Sequence, residues 1–266
     1  MNKFIALSLF IPTFCLAFPL FLEEQVSTAS FHQDSLVRYQ KLEQASKYSS
    51  IHLEKFQTAT LHFNSIQQMQ NDFPTFEFKI RDDLQVRAIY SNVQEQPDQW
   101  RSWVGRIEGD AYSSVVLTVK DGQLAGEILA FGENYKIKPM ESGVVAVRKI
   151  NLNALQSDGG DLIYDNGHAS KSQGEVHSES LSTEDDGSVI DMYVFYTDTA
   201  AAASASIQTE IINDIAVTNT ALDQSCTQTS LRLLGSSQIV FTEDRDGDDN
   251  LKKISIVSFI TDEFYT

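Results

Sequence analysis

Apolar and polar residues alternate through the middle of the chain, between residues 75 and 150. Leu84, Val86 and Ala88, for example, are separated by single polar residues. A period of two places the apolar side chains on one face of a strand. Asp121-Gly122 joins two such runs, and this dipeptide favours the two-residue turn of a β-hairpin. The zone is therefore predicted to be an antiparallel sheet, with further strands at 115–119, 123–130, 135–138 and 144–149.

The residues before this sheet, 18–70, fit two patterns equally well. One set has helical spacing and another has strand spacing, so both interpretations stay open. Trp100 and Trp103 flank the predicted sheet, and we expect them to pack in a core rather than to form a binding platform. The helical set is Leu36, Tyr39, Leu42 and Ala45, and the strand set is Ile51, Leu53, Leu61 and Phe63.

The last zone, 189–266, has a third pattern. Residues 189–196 are apolar except for Asp191, which is typical of a strand buried on both faces. Thr197 or Asp198 is placed to cap a following helix, and the order strand, helix, strand, strand indicates a crossover onto a sheet. The apolar face of the helix comprises Ile207, Ile211, Ile215 and Leu222, and the later strands are predicted at 229–234 and 238–242.

Between these zones, residues 151–188 form a polar segment. From 165 to 188 the only aliphatic side chains are Ala169, Val176 and Leu181. Such a stretch buries too little apolar surface to offset the entropy lost on ordering it. We therefore predict a linker that proteases can reach.

The first 17 residues have the pattern of a secretory signal peptide. Lys3 supplies a short positive region, residues 4–16 are nearly all apolar, and Ala17 ends a cleavage site of small residues. A membrane anchor is the alternative, but the run is shorter than the roughly 20 residues that a spanning helix needs. We expect an exported protein, secreted or periplasmic, with no membrane attachment after signal removal.

The charge of the chain limits which classes of partner it can bind. The 20 basic and 37 acidic residues give a net charge of −17. Because binding to phosphates needs a basic face, nucleic acid is excluded as a partner.

Removal of the signal takes Cys15 with it and leaves Cys226 alone. An odd cysteine in an exported chain indicates a disulfide partner in a missing part of the protein, or a free thiol.

Two sets of segments resemble one family of known proteins. The later set is similar to the first strand, first long helix, second strand and next short helix of bacterial reprolysin-like zinc metalloproteases, which are metzincin-type. The earlier set is similar to the β-rich propeptide of the same precursors. The resemblance spans about residues 75–255 and lies in the order of the segments. The later segments are 189–197, 207–225 with its Thr218-Asn219 pair, 231–234 and 250–254, and the earlier ones 103–109, 121–122, 126–128 and 135–137.

This resemblance implies an α+β chain in four parts. A signal peptide (1–17) precedes an antiparallel propeptide (18–150, β-rich from about 75), and a polar linker (151–188) leads to the N-terminal part of an α/β metzincin-like catalytic domain (189–266). The propeptide is expected to contact its own catalytic domain. The full-length protein is expected to be a zinc metalloendopeptidase that hydrolyses protein or peptide substrates.

The family's zinc motif is His-Glu-x-x-His-x-x-Gly-x-x-His, in which the histidines hold the metal and the glutamate is the general base. The chain has five histidines, and none forms a His-x-x-x-His pair. His168 and His177 lie in the predicted linker without a helix to bring them together. We therefore expect a truncated chain with no catalytic residue, inactive as it stands, and zinc only in the full-length protein.

An acidic segment near the end is a candidate calcium loop. Oxygen ligands occupy alternate positions at Asp244, Asp246, Asp248 and Asn250. Its glycine comes fourth, whereas an EF-hand has glycine at the sixth position. The alternative is a loop whose Asp248 or Asp249 caps the next helix.

Three functions compete at this point. The chain is the first part of a protease precursor, a stand-alone secreted β-rich binding or protease-inhibitor module, or a remnant without function. A self-sufficient module should close its core before residue 266. The apolar run 189–196 and the unpaired Cys226 favour the precursor.

Overall fold

A computed structural model describes residues 17–22, 26–45, 51–56, 75–81, 83–96, 100–150 and 187–241. They form an α+β fold dominated by one large, mainly antiparallel sheet, which confirms the predicted class at this level. The helices are α1 (Gln33–Ala45), α2 (Asp198–Ala202) and α3 (Ile207–Gln224), with a 3₁₀ turn at Thr28–Ser30. The strands are β1 (Ala17–Pro19), β2 (Phe21–Leu22), β3 (Ile51–Phe56), β4 (Thr75–Arg81), β5 (Leu84–Gln96), β6 (Trp100–Ile107), β7 (Ser114–Lys120), β8 (Gln123–Ala130), β9 (Glu133–Pro139), β10 (Val144–Ile150), β11 (Val189–Thr197) and β12 (Ser230–Ile239).

Strands β1 to β10 form one ten-stranded sheet, in the order β1-β4-β5-β6-β7-β8-β9-β10-β3-β2. Neighbouring strands are antiparallel except β1 and β4, which are parallel. Strands β1 and β2 belong to one segment, residues 17–22, yet they pair with opposite ends of this order. Six residues span at most about 20 Å, so the sheet curls until both of its ends reach this segment. We call β1–β10 the curled sheet.

The inner face of the curled sheet carries the main apolar core. Trp103 is fully buried there, and its ring meets Phe76 edge-on with 5.1 Å between the ring centroids. A Cβ atom at Gly105 would lie 2.2 Å from Trp103 Cη2 and 2.4 Å from the carbonyl oxygen of Ile89, so this position requires glycine. The predicted alternation supplies much of the core, and its inward residues include Val86, Ala88, Val115, Leu117, Ile128, Tyr135, Ile137, Val145 and Val147.

Tight turns join the strands of this sheet. Asp121 and Gly122 connect β7 to β8 with φ of 48° and 74°, which confirms the predicted hairpin. Phe131-Gly132, between β8 and β9, repeats the same two positive φ angles. The sequence did not single out this second turn because phenylalanine is not a residue that turn preferences mark.

The ambiguous zone before the sheet contains both kinds of element. Helix α1 uses the helical set, and its Tyr39 and Leu42 pack on Ala146, on the outer face of β10. Strand β3 uses Ile51 and Leu53 of the strand set. The remaining two residues of that set, Leu61 and Phe63, lie outside the described residues.

Residues 189–239 form a second unit, in which β11 and β12 pair in parallel and α2 and α3 connect them. We call it the parallel unit. Thr197 caps α2 as predicted, because its Oγ1 accepts a hydrogen bond from the backbone N–H of Ala200. The two later strands predicted at 229–234 and 238–242 are instead one strand, β12. Its pairing with β11 shifts at Leu234 without breaking.

Gly235 lies within β12, between the two strands that were predicted from the sequence. The ring of Tyr193 on β11 covers Gly235, and a Cβ atom there would lie 2.9 Å from Tyr193 Cε2. The hydroxyl of Tyr193 hydrogen-bonds to Ser237 Oγ at 2.6 Å. The Gly-Ser-Ser run therefore lies within the strand beneath a tyrosine, although its composition is that of a turn.

The prediction that β11 is buried on both faces is wrong for the residues that the structure describes. Met192 and Val194 pack towards α3, but Val189, Tyr193 and Phe195 are 53 %, 49 % and 58 % exposed. The reason is that a two-stranded sheet with a helix on one side covers only that side. An apolar run in the sequence does not distinguish one covered face from two.

Candidate functional site

Helix α3 lies between the curled sheet and the β11–β12 pair, and it contacts both. It therefore buries two opposite faces. The face towards β11 and β12 is apolar, whereas the face towards the curled sheet carries both polar and apolar residues. The buried residues of α3 are Thr209, Glu210, Ile212, Asn213, Ile215, Ala216, Asn219 and Thr220. This contact between the two parts of the molecule is the candidate functional site.

A small apolar patch forms the centre of the contact. Val104 on β6 and Val116 on β7 point outward from the curled sheet and pack against Ala216 of α3. All three side chains are small. The helix and the sheet can therefore approach closely, and polar neighbours at the edge of the patch come within hydrogen-bonding distance.

Polar side chains extend the patch on the β6–β7 side. Ser102 Oγ and Thr118 Oγ1 are 2.7 Å apart, and Thr118 donates to Asn213 Oδ1 at 3.1 Å. All three residues are buried. The amide nitrogen of Asn213 has no hydrogen-bond partner among the described residues. Buried polar groups are normally paired, so this nitrogen is an unpaired donor among the described residues of the contact.

A second polar pair lies at the β5 side of the helix. Gln94 Nε2 donates to Thr220 Oγ1 at 2.9 Å, and Thr220 in turn donates to the carbonyl oxygen of Ala216. These bonds fix the C-terminal half of α3 against the curled sheet. Both partners are uncharged, so the bonds supply direction more than long-range attraction.

On the side of α3 that lies over β9 and β10, ion pairs dominate the contact. Lys138 Nζ lies 3.0 Å from Glu210 Oε2, and Glu210 is only 7 % exposed. The second oxygen of Glu210 accepts a hydrogen bond from Ser204 Oγ at 2.6 Å. Burial lowers the pKa of nearby Arg148, and the charge of Glu210 opposes that shift. A buried carboxylate is tolerated only when it is paired in this way.

Two further lysines of the curled sheet face α3. Lys136 Nζ lies 2.9 Å from Asp214 Oδ1 at a more exposed position. Lys120 Nζ donates to Gln208 Oε1 and lies 3.3 Å from the centre of the Trp100 ring. The ion pairs place the cations on the sheet and the anions on the helix. Opposite charges on the two surfaces favour this orientation of the helix over others.

The outer side of α3 holds the parallel unit together. Ile212, Ile215 and Leu233 form an apolar cluster, against which Trp100 of the curled sheet also packs. Asn219 makes two bonds to the backbone of Leu231, donating from Nδ2 at 2.9 Å and accepting at Oδ1 at 2.7 Å. The side chain of Asn219 therefore fixes the start of β12 to the helix.

The residues predicted from the sequence lie apart from this contact. Ala17 is the first described residue and begins β1, where it pairs with Thr75, and cleavage after it stays a prediction. Cys226 is an exposed free thiol just beyond α3. The calcium candidates Asp244, Asp246, Asp248 and Asn250, and also His168 and His177, lie outside the described residues.

Glu210, Thr220 and the lysines of this contact were not singled out from the sequence, and Asn213 and Ala216 entered only as part of the segment 207–225 that resembles the family. Glu210, Asn213 and Thr220 recur at intervals of three and seven, on the side of the helix away from Ile211 and Ile215. A second stripe of this kind, formed by buriable polar residues, is the signal that could have marked a second covered face. Its lysine partners belong to strands far away in the sequence and carry no such signal.

Neither a metal-ion site nor a membrane-spanning helix is found among the residues that the structure describes. The residues that the structure describes contain no group of three or more His, Cys, Asp or Glu side chains placed to hold a metal ion. None of the helices described is both long and apolar enough to cross a membrane. The chain matches no protein-family model, and no curated protein is significantly similar to it.

Proposed function

We propose that residues 18–150 are the propeptide of an exported zinc metalloendopeptidase precursor of the reprolysin-like, metzincin type. Residues 189–266 would then be the first part of its α/β catalytic domain. The observation that carries the proposal is the position of α3, which is held between the curled sheet and the β11–β12 pair. A propeptide that assists folding needs contact of this kind with the domain it serves.

The contact suggests how such a propeptide would act. The parallel unit is a two-stranded sheet with an apolar outer face that bears Tyr193 and Phe195. An isolated two-stranded sheet is marginally stable at best. The curled sheet, with its own core, would give α3 a fixed surface while the rest of a catalytic domain folds around it. The polar segment 151–188 would be the place where the two parts are later separated.

Peptide hydrolysis would belong to the longer protein. A catalytic zinc needs three protein ligands and an open position for water. The described residues do not offer three such ligands in one place, so they do not fit this metal. The function proposed for this chain is therefore folding and covering of the catalytic domain, and calcium at Asp244–Asn250 stays a separate prediction.

A secreted β-rich binding or protease-inhibitor module is the second candidate. The observation in its favour is that Trp103, Phe76 and Tyr135 are buried within the curled sheet itself. Such a sheet does not depend on the parallel unit for its main core. It could serve as a binding module with any partner that fits its outer face.

One measurement decides between these candidates, and a second tests whether the chain itself holds a metal site. The first is the genomic DNA beyond codon 266, where we expect a His-Glu-x-x-His motif in the same or a shifted frame. Its absence would leave the binding module as the better proposal. The second is zinc content and peptidase activity of purified 18–266, where we expect neither. Stoichiometric zinc with chelator-sensitive cleavage would show that the chain contains a metal site that its sequence does not predict.

A further inference from the structure

Much of the contact between the curled sheet and α3 is polar or ionic, unlike the interior of either part. We call the side chains on the sheet's side of this contact the cradle. The cradle consists of Gln94, Ser102, Val104, Val116, Thr118, Lys120, Lys136 and Lys138. Its apolar pair, Val104 and Val116, meets Ala216 of the helix, and Trp100 of the same sheet packs on the cluster of Ile212 and Ile215.

We propose that the cradle is a reversible binding site for an acidic, polar-faced helix, and that it keeps α3 bound after the chain is cut within residues 151–186. The inference deepens the proposed function and rests on it for the identity of the ligand as part of a catalytic domain. The cradle itself is argued from the contacts alone.

The charges define the kind of helix that fits. Lys138 and Lys136 lie two residues apart on β9, and they pair with Glu210 and Asp214, which are four apart on α3. Residues four apart lie on one face of a helix, one turn above the other. A ligand helix therefore needs two carboxylates one turn apart, aligned with the direction of β9.

The buried amide adds a second requirement. Asn213 lies between these carboxylates in sequence and accepts a hydrogen bond from Thr118. A larger apolar residue at this position would leave the Ser102–Thr118 pair facing a side chain that cannot accept a hydrogen bond. The cradle therefore selects an asparagine or a similar small acceptor between its two carboxylates.

The same features make the binding releasable. Electrostatic attraction at the more exposed Lys136–Asp214 pair weakens as salt rises, because the Debye length falls from about 10 Å at 0.1 M to about 3 Å at 1 M, whereas the more deeply placed Lys138–Glu210 pair is screened less. The apolar part of the contact consists of the Val104–Val116–Ala216 patch and of Trp100 against the cluster of Ile212 and Ile215, so salt should act on the ion pairs and leave these apolar contacts in place. A protein with this contact would hold α3 firmly at low salt and more weakly when the ion pairs are screened.

The test uses the purified chain 18–266 with a specific protease sequence placed inside 151–186. After cutting, the two pieces are analysed by size-exclusion chromatography at about 0.1 M and about 1 M salt. We expect one complex at low salt and two separate pieces at high salt. Separation at both salt concentrations, or co-elution that salt does not weaken, would overturn the proposal.

Three variants sharpen the test. Glu210→Gln is expected to raise the dissociation constant of the cut complex by at least about tenfold, because it leaves the half-buried Lys138 ammonium without its carboxylate. Asp214→Asn should have a smaller effect, because that pair is more exposed. Lys149→Gln is the matched control, since Lys149 pairs with Glu133 inside the curled sheet.

The circular dichroism spectrum and thermal transition of each uncut variant show whether it is folded. A folded Glu210→Gln variant that binds as tightly as the parent would contradict the role of the ion pair. Failure of the cradle and failure of the proposed function are distinguishable. A zinc motif in the DNA with pieces that separate at low salt refutes only the cradle, whereas a salt-sensitive complex without a zinc motif refutes only the protease precursor.

Discussion

The curled sheet and the parallel unit differ in how far they bury their apolar side chains. The sheet encloses a core of aromatic and aliphatic side chains such as Trp103, which is fully buried. The parallel unit leaves half of Phe195 exposed and has α3 on only one face of its two strands. Its helix is held to the sheet in large part by Glu210 and Asn213. The difference indicates that one part is stable by itself and that the other depends on its neighbour.

Separating the two regions should have the largest effect. We expect a piece of residues 18–150 to unfold in a single cooperative thermal transition, because its main core lies within it. A piece of residues 189–266 should show no such transition, because α3 loses the surface that covers one of its faces. Circular dichroism against temperature checks both pieces. A cooperative transition in the later piece would remove the contrast between them.

Removal of the central tryptophan should be the most damaging single change. Trp103→Ala is expected to lower the free energy of unfolding of the whole chain by about 3–5 kcal/mol, as for other large core residues. Trp100→Ala is the comparison, because Trp100 lies on the outer face and packs against the parallel unit. Urea unfolding should show a smaller loss for Trp100→Ala. Equal losses would mean that the two regions share one core.

The asparagine that fixes β12 offers a test confined to the parallel unit. Asn219→Ala removes two hydrogen bonds and leaves the N–H and C=O of Leu231 unpaired. We expect a loss of about 1–3 kcal/mol, the usual cost of unpaired polar groups, and towards the lower end because this site is only part-buried.

Thr218→Ala is the matched control for this change. Among the described residues, the Thr218 side chain bonds only to the carbonyl oxygen of Asp214 in its own helix, and it is exposed, so a change within about 0.5 kcal/mol is expected. Hydrogen exchange at the Leu231 amide should increase in the Asn219 variant alone. Faster exchange throughout the curled sheet would show that the two regions unfold together.

A stabilising change is expected at the end of α3. Cys226 adopts φ of 57°, its N–H bonds to Asp223 O, and the N–H of Thr227 bonds to Leu222 O. This is the Schellman arrangement, in which glycine is preferred at the left-handed position. Cys226→Gly should raise the free energy of unfolding by about 1 kcal/mol.

Cys226→Ala retains the Cβ atom and should bring no such gain, so it separates backbone strain from loss of the thiol. Urea unfolding of both variants under reducing conditions measures the difference. If the two variants were equally stable, the strain at this position would not be the cause. A strong loss in both would indicate a role for the thiol itself.

The smallest expected effect is a pH dependence at the start of α1. The backbone N–H of His32 donates a hydrogen bond to Glu141 and holds the pKa of that carboxyl below its ordinary value. A depressed carboxyl pKa contributes stability above the ordinary value, and this contribution is lost as pH falls through the lowered pKa. We expect the attachment of α1 to weaken only in that acidic range. Glu141→Gln should remove this part of the pH dependence and leave the curled sheet unchanged in urea unfolding.

The sequence determined five of the ten strands of the curled sheet, β5 and β7 to β10. Alternation at Leu84, Val86 and Ala88 identified β5, and Asp121-Gly122 identified a hairpin, because both are local properties of the chain. Alternation fixes which face of a strand is apolar, and turn chemistry fixes which residues can take positive φ. The prediction that Thr197 caps a helix also rested on a local property of the chain. Which strands pair with distant neighbours is not a local property of the chain.

The tertiary structure alone decided how these elements meet. Nothing local in residues 17–22 indicates that they join both ends of the sheet, with Leu20 and Phe21 in its core. Nor does Glu210 indicate that Lys138 is its partner, because the two are brought together only when α3 lies on the sheet. Covalent geometry and side-chain period act over a few residues, whereas contacts between distant segments depend on the whole packing arrangement. The candidate site is made entirely of such contacts, and for that reason only the folded chain shows it.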